Sequence, residues 1–110
     1  MYIVIWRYRV EPAQVAKFEK AFGPKGEWAR FFSSSKDYVG TELLADDERP
    51  GEFVTIDRWE SEESYSAFLG EHEAAYDRLD RRFEALTLSE SRLGAYGLAG
   101  EKGSESFRPK

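Results

Sequence analysis

The sequence predicts an α+β domain, with helices laid on one face of a four-stranded antiparallel sheet. Three observations carry this. Two alternating stretches, 38–45 and 53–59, are joined by a short polar turn, which makes them a hairpin. Two more strand patterns, 2–10 and 87–96, stand near the two ends of the chain. Between each of these end strands and the hairpin the apolar period changes from two to about 3.6.

Taken in order, residues 2–10 place Tyr2, Val4, Trp6, Tyr8 and Val10 on one face and Ile3, Ile5, Arg7 and Arg9 on the other. Both faces are apolar at the N-terminal end, so this strand expects cover on both sides. Glu11-Pro12 ends it. Val15, Phe18 and Phe22 then recur at helical spacing, and Gly23-Pro24 stops that helix. A short helical piece at 26–32 carries Trp28, Phe31 and Phe32, and Ser33 to Asp37 form a loop. In the strand 53–59, Phe53, Thr55, Asp57 and Trp59 share a face, opposite Val54, Ile56 and Arg58. Ser61 is placed to cap the next helix, with Glu62 and Glu63 at the positive end of its dipole. Tyr65, Phe68 and Leu69 form its inner face, and Gly70 allows a break. A longer helix puts His72, Tyr76, Leu79, Phe83 and Leu86 on one stripe. Strand, helix, strand, strand, helix, strand is the split βαβ order of ferredoxin-like domains. The domain is expected to span 1–98, with 99–110 a polar C-terminal tail.

Composition narrows the function. A chain of 110 residues has room for one domain and no separate catalytic module. A net charge of −5 without a basic block argues against nucleic acid and against anionic membrane. The absence of cysteine removes disulfides, thiolate nucleophiles and zinc–cysteine sites. The start at Tyr2 is a strand pattern, no apolar run reaches membrane-spanning length, and a soluble cytoplasmic protein is expected. An aromatic share of 15% suits both a thick core and the walls of a pocket for a flat organic ligand. Helices can cover only one face of the sheet, so a homodimer with sheet against sheet is the simplest cover for the other.

The stretch Trp59-Glu60-Ser61-Glu62-Glu63-Ser64-Tyr65, with Phe68, resembles the Trp-x-Ser-x-x-x-Tyr signature of the antibiotic biosynthesis monooxygenase (ABM) family. Gly40 and Gly94 also fit, and by element order the resemblance covers residues 1–98. It implies a dimeric α+β barrel. It further implies oxidation of an aromatic, quinol-like small molecule by dioxygen, with no metal or organic cofactor. The family's tryptophan and tyrosine fall on Trp59 and Tyr65, its asparagine on Thr55, and its helical arginine near Arg78. The haem-degrading branch needs an asparagine where Trp6 stands and a histidine near Arg78, so haem degradation is not expected.

The expected catalytic residues are therefore Trp59, Tyr65 and His72, the single histidine and so the default acid–base group near neutral pH. Trp6, Thr55, Tyr76 and Arg78 are the expected substrate-binding residues. Each has a plainer reading: corner packing for Trp59, hydroxyls satisfied on backbone for the tyrosines, a helix-end role for His72. No histidine or carboxylate spacing suits a metal. Arg7, Arg9, Arg58 and Arg92 alternate with Glu42, Asp57 and Glu90, and any that enter a sheet–sheet interface should pair there. Two other functions fit the same features: a binding module without turnover, and an isomerase or cyclase using His72 or a tyrosine.

Overall fold

The computed structural model describes residues 1–100; the expected tail lies, from residue 101, outside the described residues. The strands are β1 (Tyr2–Arg9), β2 (Tyr38–Ala45), β3 (Glu52–Trp59) and β4 (Ser89–Tyr96). The helices are α1 (Val15–Phe22), α2 (Glu27–Phe32), α3 (Glu62–Glu71) and α4 (Glu73–Phe83). The sheet runs β2-β3-β1-β4 with every neighbour antiparallel, the ferredoxin-like order.

Register fixes what each face carries. Tyr2 pairs with Trp59, Val4 with Asp57, Trp6 with Thr55 and Tyr8 with Phe53, so these eight residues share the helix-covered face. Thr41 extends that face on β2 opposite Asp57, and Glu90 extends it on β4 opposite Tyr8. The charges read as interface partners therefore divide. Asp57 and Glu90 turn toward the helices, while Arg58 pairs with Glu42, and Arg7 with Glu52 at 3.7 Å, on the helix-free face. That face also carries Ile5, Val54 and Ile56, half-buried, and Leu44, exposed.

Two aromatic clusters fill the ends of the helix–sheet layer. Tyr8, Phe18, Phe22 and Phe53 form one; Phe32, Trp59 and Phe68 form the other. The α1–α2 turn brings backbone unusually close: a Cβ on Gly26 would lie 2.4 Å from the Lys20 carbonyl oxygen. Only glycine fits there.

Ser61 caps α3, accepting from the Ser64 N–H at 3.1 Å, while the Ser64 hydroxyl accepts from the Ser61 N–H at 3.3 Å. This is a capping box with serine in the place usually held by glutamate. The break between α3 and α4 falls at His72, not at Gly70, which stays helical. His72 has φ −121° and ψ 27°. Its backbone N–H donates to the Phe68 carbonyl at 3.0 Å, and its Nδ1 lies 3.0 Å from the same oxygen. The ring competes for the carbonyl that would continue the helix. Asp77 and Arg81 form no ion pair among the described residues; Arg82 reaches Glu27 on α2 at 3.4 Å.

Candidate functional site

Between the two clusters the layer does not close, and a cavity of about 130 Å³ remains. Its floor is the sheet, including Val4, Trp6, Thr55 and Asp57; its roof includes Trp28 and Phe32 of α2, Tyr65 of α3 and Tyr76 of α4. Asp80 on α4 and Glu90 on the edge strand, both exposed, stand at the rim.

Asp57 is the chemical centre of this space. A carboxylate on the inward face of a central strand is costly to bury unless hydrogen bonded. Thr41 on the neighbouring strand donates to Asp57 Oδ1 at 2.5 Å, and the Tyr38 hydroxyl lies 2.5 Å from the same Thr41 oxygen. With Thr41 donating to Asp57, Tyr38 must donate to Thr41, which makes a three-residue relay. Asp57 Oδ2 accepts no hydrogen bond among the described residues. Burial among aromatic rings pushes the Asp57 carboxyl up to about 6, the Thr41 bond opposing the shift. What surface Asp57 keeps lies along the cavity.

The surrounding hydroxyls are held neutral. Burial raises Tyr8, Tyr65 and Tyr76 above the ordinary phenol range, and for Tyr65 the Arg92 charge opposes it. Thr55 donates to the Tyr8 oxygen at 3.3 Å. Tyr65 and Tyr76 make no hydroxyl hydrogen bond among the described residues, so both remain available to a ligand.

A model of the antibiotic biosynthesis monooxygenase family matches residues 1–76. The chain belongs to that family. Its fold is similar to SnoaB, a cofactor-independent oxygenase from Streptomyces nogalater. A SnoaB mutant superposes with a TM-score of 0.73 at 20% identity, covering 89% of this chain and 92% of that one. A second SnoaB structure gives 0.71 at 21% identity, covering 88% and 91%. A Deinococcus radiodurans protein described as a candidate antibiotic biosynthesis monooxygenase gives 0.71 at 13%, covering 90% and 93%. No curated protein matches the sequence.

The ABM signature and the cavity coincide only in part. Tyr65, Thr55, Trp6 and Tyr76 line the cavity together. Trp59 lies outside its lining: fully buried, it is ringed by Phe32, Tyr38, Tyr65 and Phe68 at 5.3–5.5 Å. Its Nε1 has no partner among the described residues. It is the layer behind Tyr65 and Phe32, both of which do face the cavity. His72 is also outside, stacked on Phe68 at 4.2 Å with Nδ1 committed to backbone. Arg78 is exposed beside Arg82 on the outer side of α4. The structure thus does not bring Trp59, His72 and Arg78 together with the other four. The residues that sequence reasoning passed over are Asp57, Thr41 and Tyr38, and one signal pointed to the first: a carboxylate between Thr55 and Trp59 on an inward strand face.

Among the described residues, no group of three or more His, Cys, Asp or Glu side chains is placed to hold a metal ion, and no helix is long and apolar enough to cross a membrane.

Proposed function

We propose that this ABM protein is a cofactor-independent monooxygenase that oxidises a quinol-like aromatic molecule in the cavity. The observation that carries the reading is Asp57, a carboxylate with a raised pKa in an aromatic-walled space. Such a group is a competent general base near neutral pH. It takes a phenol-type proton, and the Tyr65 and Tyr76 hydroxyls donate to the negative oxygen that forms. The electron-rich anion then reacts with dioxygen. One oxygen atom enters the ring system, and the other leaves as water with the two hydrogens lost by the substrate. All electrons come from the substrate, so the stoichiometry needs no external reductant.

The test is oxygen uptake with a panel of single-ring hydroquinones, with ¹⁸O₂ followed into the product. One oxygen consumed per product, with label incorporated, is expected. Exchange of a substrate C–H for deuterium without oxygen uptake would instead mark an isomerase or cyclase. A binding module without turnover is favoured by one observation: Thr55, where the family carries an amide donor, spends its hydroxyl on Tyr8. Tight binding with neither uptake nor exchange would establish that reading.

The same proposal includes a homodimer closed sheet to sheet across Ile5, Val54 and Ile56, with the Arg7–Glu52 and Arg58–Glu42 pairs fixing register. Light scattering at micromolar concentration should give twice the chain mass, and Ile5→Asp should give the monomer. In this reading the protein acts in the cytoplasm on a free small molecule, with no nucleic acid or membrane partner.

A further inference from the structure

Resting on the reading of the cavity as a substrate site, we infer that its ligand is a single aromatic ring bearing a cationic, amine-type substituent. The ring lies between Trp6, Trp28 and Tyr65, and the ammonium sits at the rim between Asp80 and Glu90.

Volume limits the ring system. A closed apolar cavity of about 150 Å³ accommodates benzene. At about 130 Å³, the space inside this cavity matches one ring, and a second fused ring would have to extend into its mouth. A substituent must therefore leave through the mouth, where α4 faces the edge strand.

Charge limits the substituent. Three carboxylates line the space, Asp57 within and Asp80 and Glu90 at the rim, and among the described residues no basic side chain lines it. Arg92, opposite Trp6 on the same sheet face, is the nearby cation; its charge reaches Tyr65, but it is not part of the lining. The Asp80 carboxylate makes no ion pair or hydrogen bond among the described residues, and the only hydrogen bond to the Glu90 carboxylate among them is a long one from the Thr87 hydroxyl at 3.5 Å. Burial and then the Asp80 charge both push the Glu90 carboxyl up, the sign of two acids left facing each other. An ammonium placed between them removes that repulsion, whereas a carboxylate or phosphate would add to it. The acids are too dispersed to form a metal cluster, so an organic cation suits them better than a metal ion.

Calorimetric titration of the full chain at pH 7.5 and low salt, with p-cresol, tyramine and 4-hydroxyphenylacetate, tests the charge preference on one ring. Tyramine should bind at least tenfold more tightly than p-cresol, and 4-hydroxyphenylacetate most weakly. The tyramine advantage should shrink as salt is raised. In the Asp80→Asn, Glu90→Gln double variant, the ratio of tyramine to p-cresol affinity should fall to within about threefold. Tryptamine, with two fused rings, should bind at least tenfold more weakly than tyramine.

Equal binding of the three single-ring probes, or a tyramine preference that survives in the double variant, overturns the charge assignment. Equal or tighter binding of tryptamine overturns the size assignment. Both results leave an aromatic oxygenase intact. Tyramine-selective binding without oxygen uptake supports this inference while the proposed reaction fails, so the two are separately decided.

Discussion

Asp57 and Trp59 stand two residues apart on one face of β3, yet their surroundings are opposite. Around Trp59, rings from α2, β2 and α3 close in until nothing is exposed. Around Asp57, the same layers hold Trp28, Tyr65 and Tyr76 apart and leave open space. The signature tryptophan thus marks the packed end of the layer, while the signature tyrosine, Tyr65, faces the open space beside it. A residue can identify a fold by supporting a site it does not itself line.

The widest separation between the two regions is expected from Asp57→Asn. Loss of the base should lower turnover on the order of 10²–10⁴-fold, with a neutral ring still bound in calorimetry. Trp59→Ala should act in the other direction, on stability, costing about 3–5 kcal/mol in urea unfolding. Trp59→Phe should cost about 1–2 kcal/mol and leave ligand affinity in place. A fall in affinity well beyond the loss of stability would mean that Trp59 belongs to the site after all.

Proton linkage sharpens the contrast. The Asp57 carboxyl is raised from 3.8 to about 6 in the folded protein, so the fold holds a proton that the unfolded chain has lost. Its contribution to stability is therefore complete below pH 3.8 and declines as pH rises through about 6. At pH 7 and above, Asp57→Asn should be more stable than the parent by roughly 3 kcal/mol, and that gain should vanish near pH 4. Turnover should rise with pH around 6, as the base ionises. An Asp57→Asn variant less stable than the parent at pH 8 would show the relay from Tyr38 and Thr41 to outweigh burial. The smallest effect should come from Ser61→Ala, about 1 kcal/mol from the lost cap of α3. Because α3 carries Tyr65, the wall between the two regions, that loss should be accompanied by a slightly weaker grip on ligand.

Why the sequence discloses one region better than the other follows from the same contrast. Periodicity assigns Thr55, Asp57 and Trp59 to one strand face, and register confirms it. Periodicity does not say whether that face is filled. The rings that enclose Trp59 come from three elements, and their meeting is a tertiary event. In the sequence Asp57 is one of several charges alternating along the strands, and nothing local marks it as buried. The donor that makes burial tolerable, Thr41, lies sixteen residues earlier on another strand. His72 shows what counting residue types leaves out. A single histidine invites an acid–base role, but its ring nitrogen is taken by the carbonyl four residues back. Arg78 illustrates the limit of placing a residue by signature spacing, since one helical position is about 100° of rotation and the difference between cavity and solvent.

Two of the three tryptophans line the cavity and the third does not, which gives the protein its own optical reporters. Trp6 lies in the cavity floor and Trp28 in its roof, while Trp59 is sealed among rings; among the described residues the indole N–H groups of Trp28 and Trp59 are both buried without a partner. A dry indole emits toward the blue and is hidden from iodide or acrylamide. A ring entering the cavity meets two indoles and spares the third. Occupancy and unfolding therefore have different fluorescence signatures in the unlabelled chain: quenching of the redder emission for the first, loss of the blue shoulder for the second.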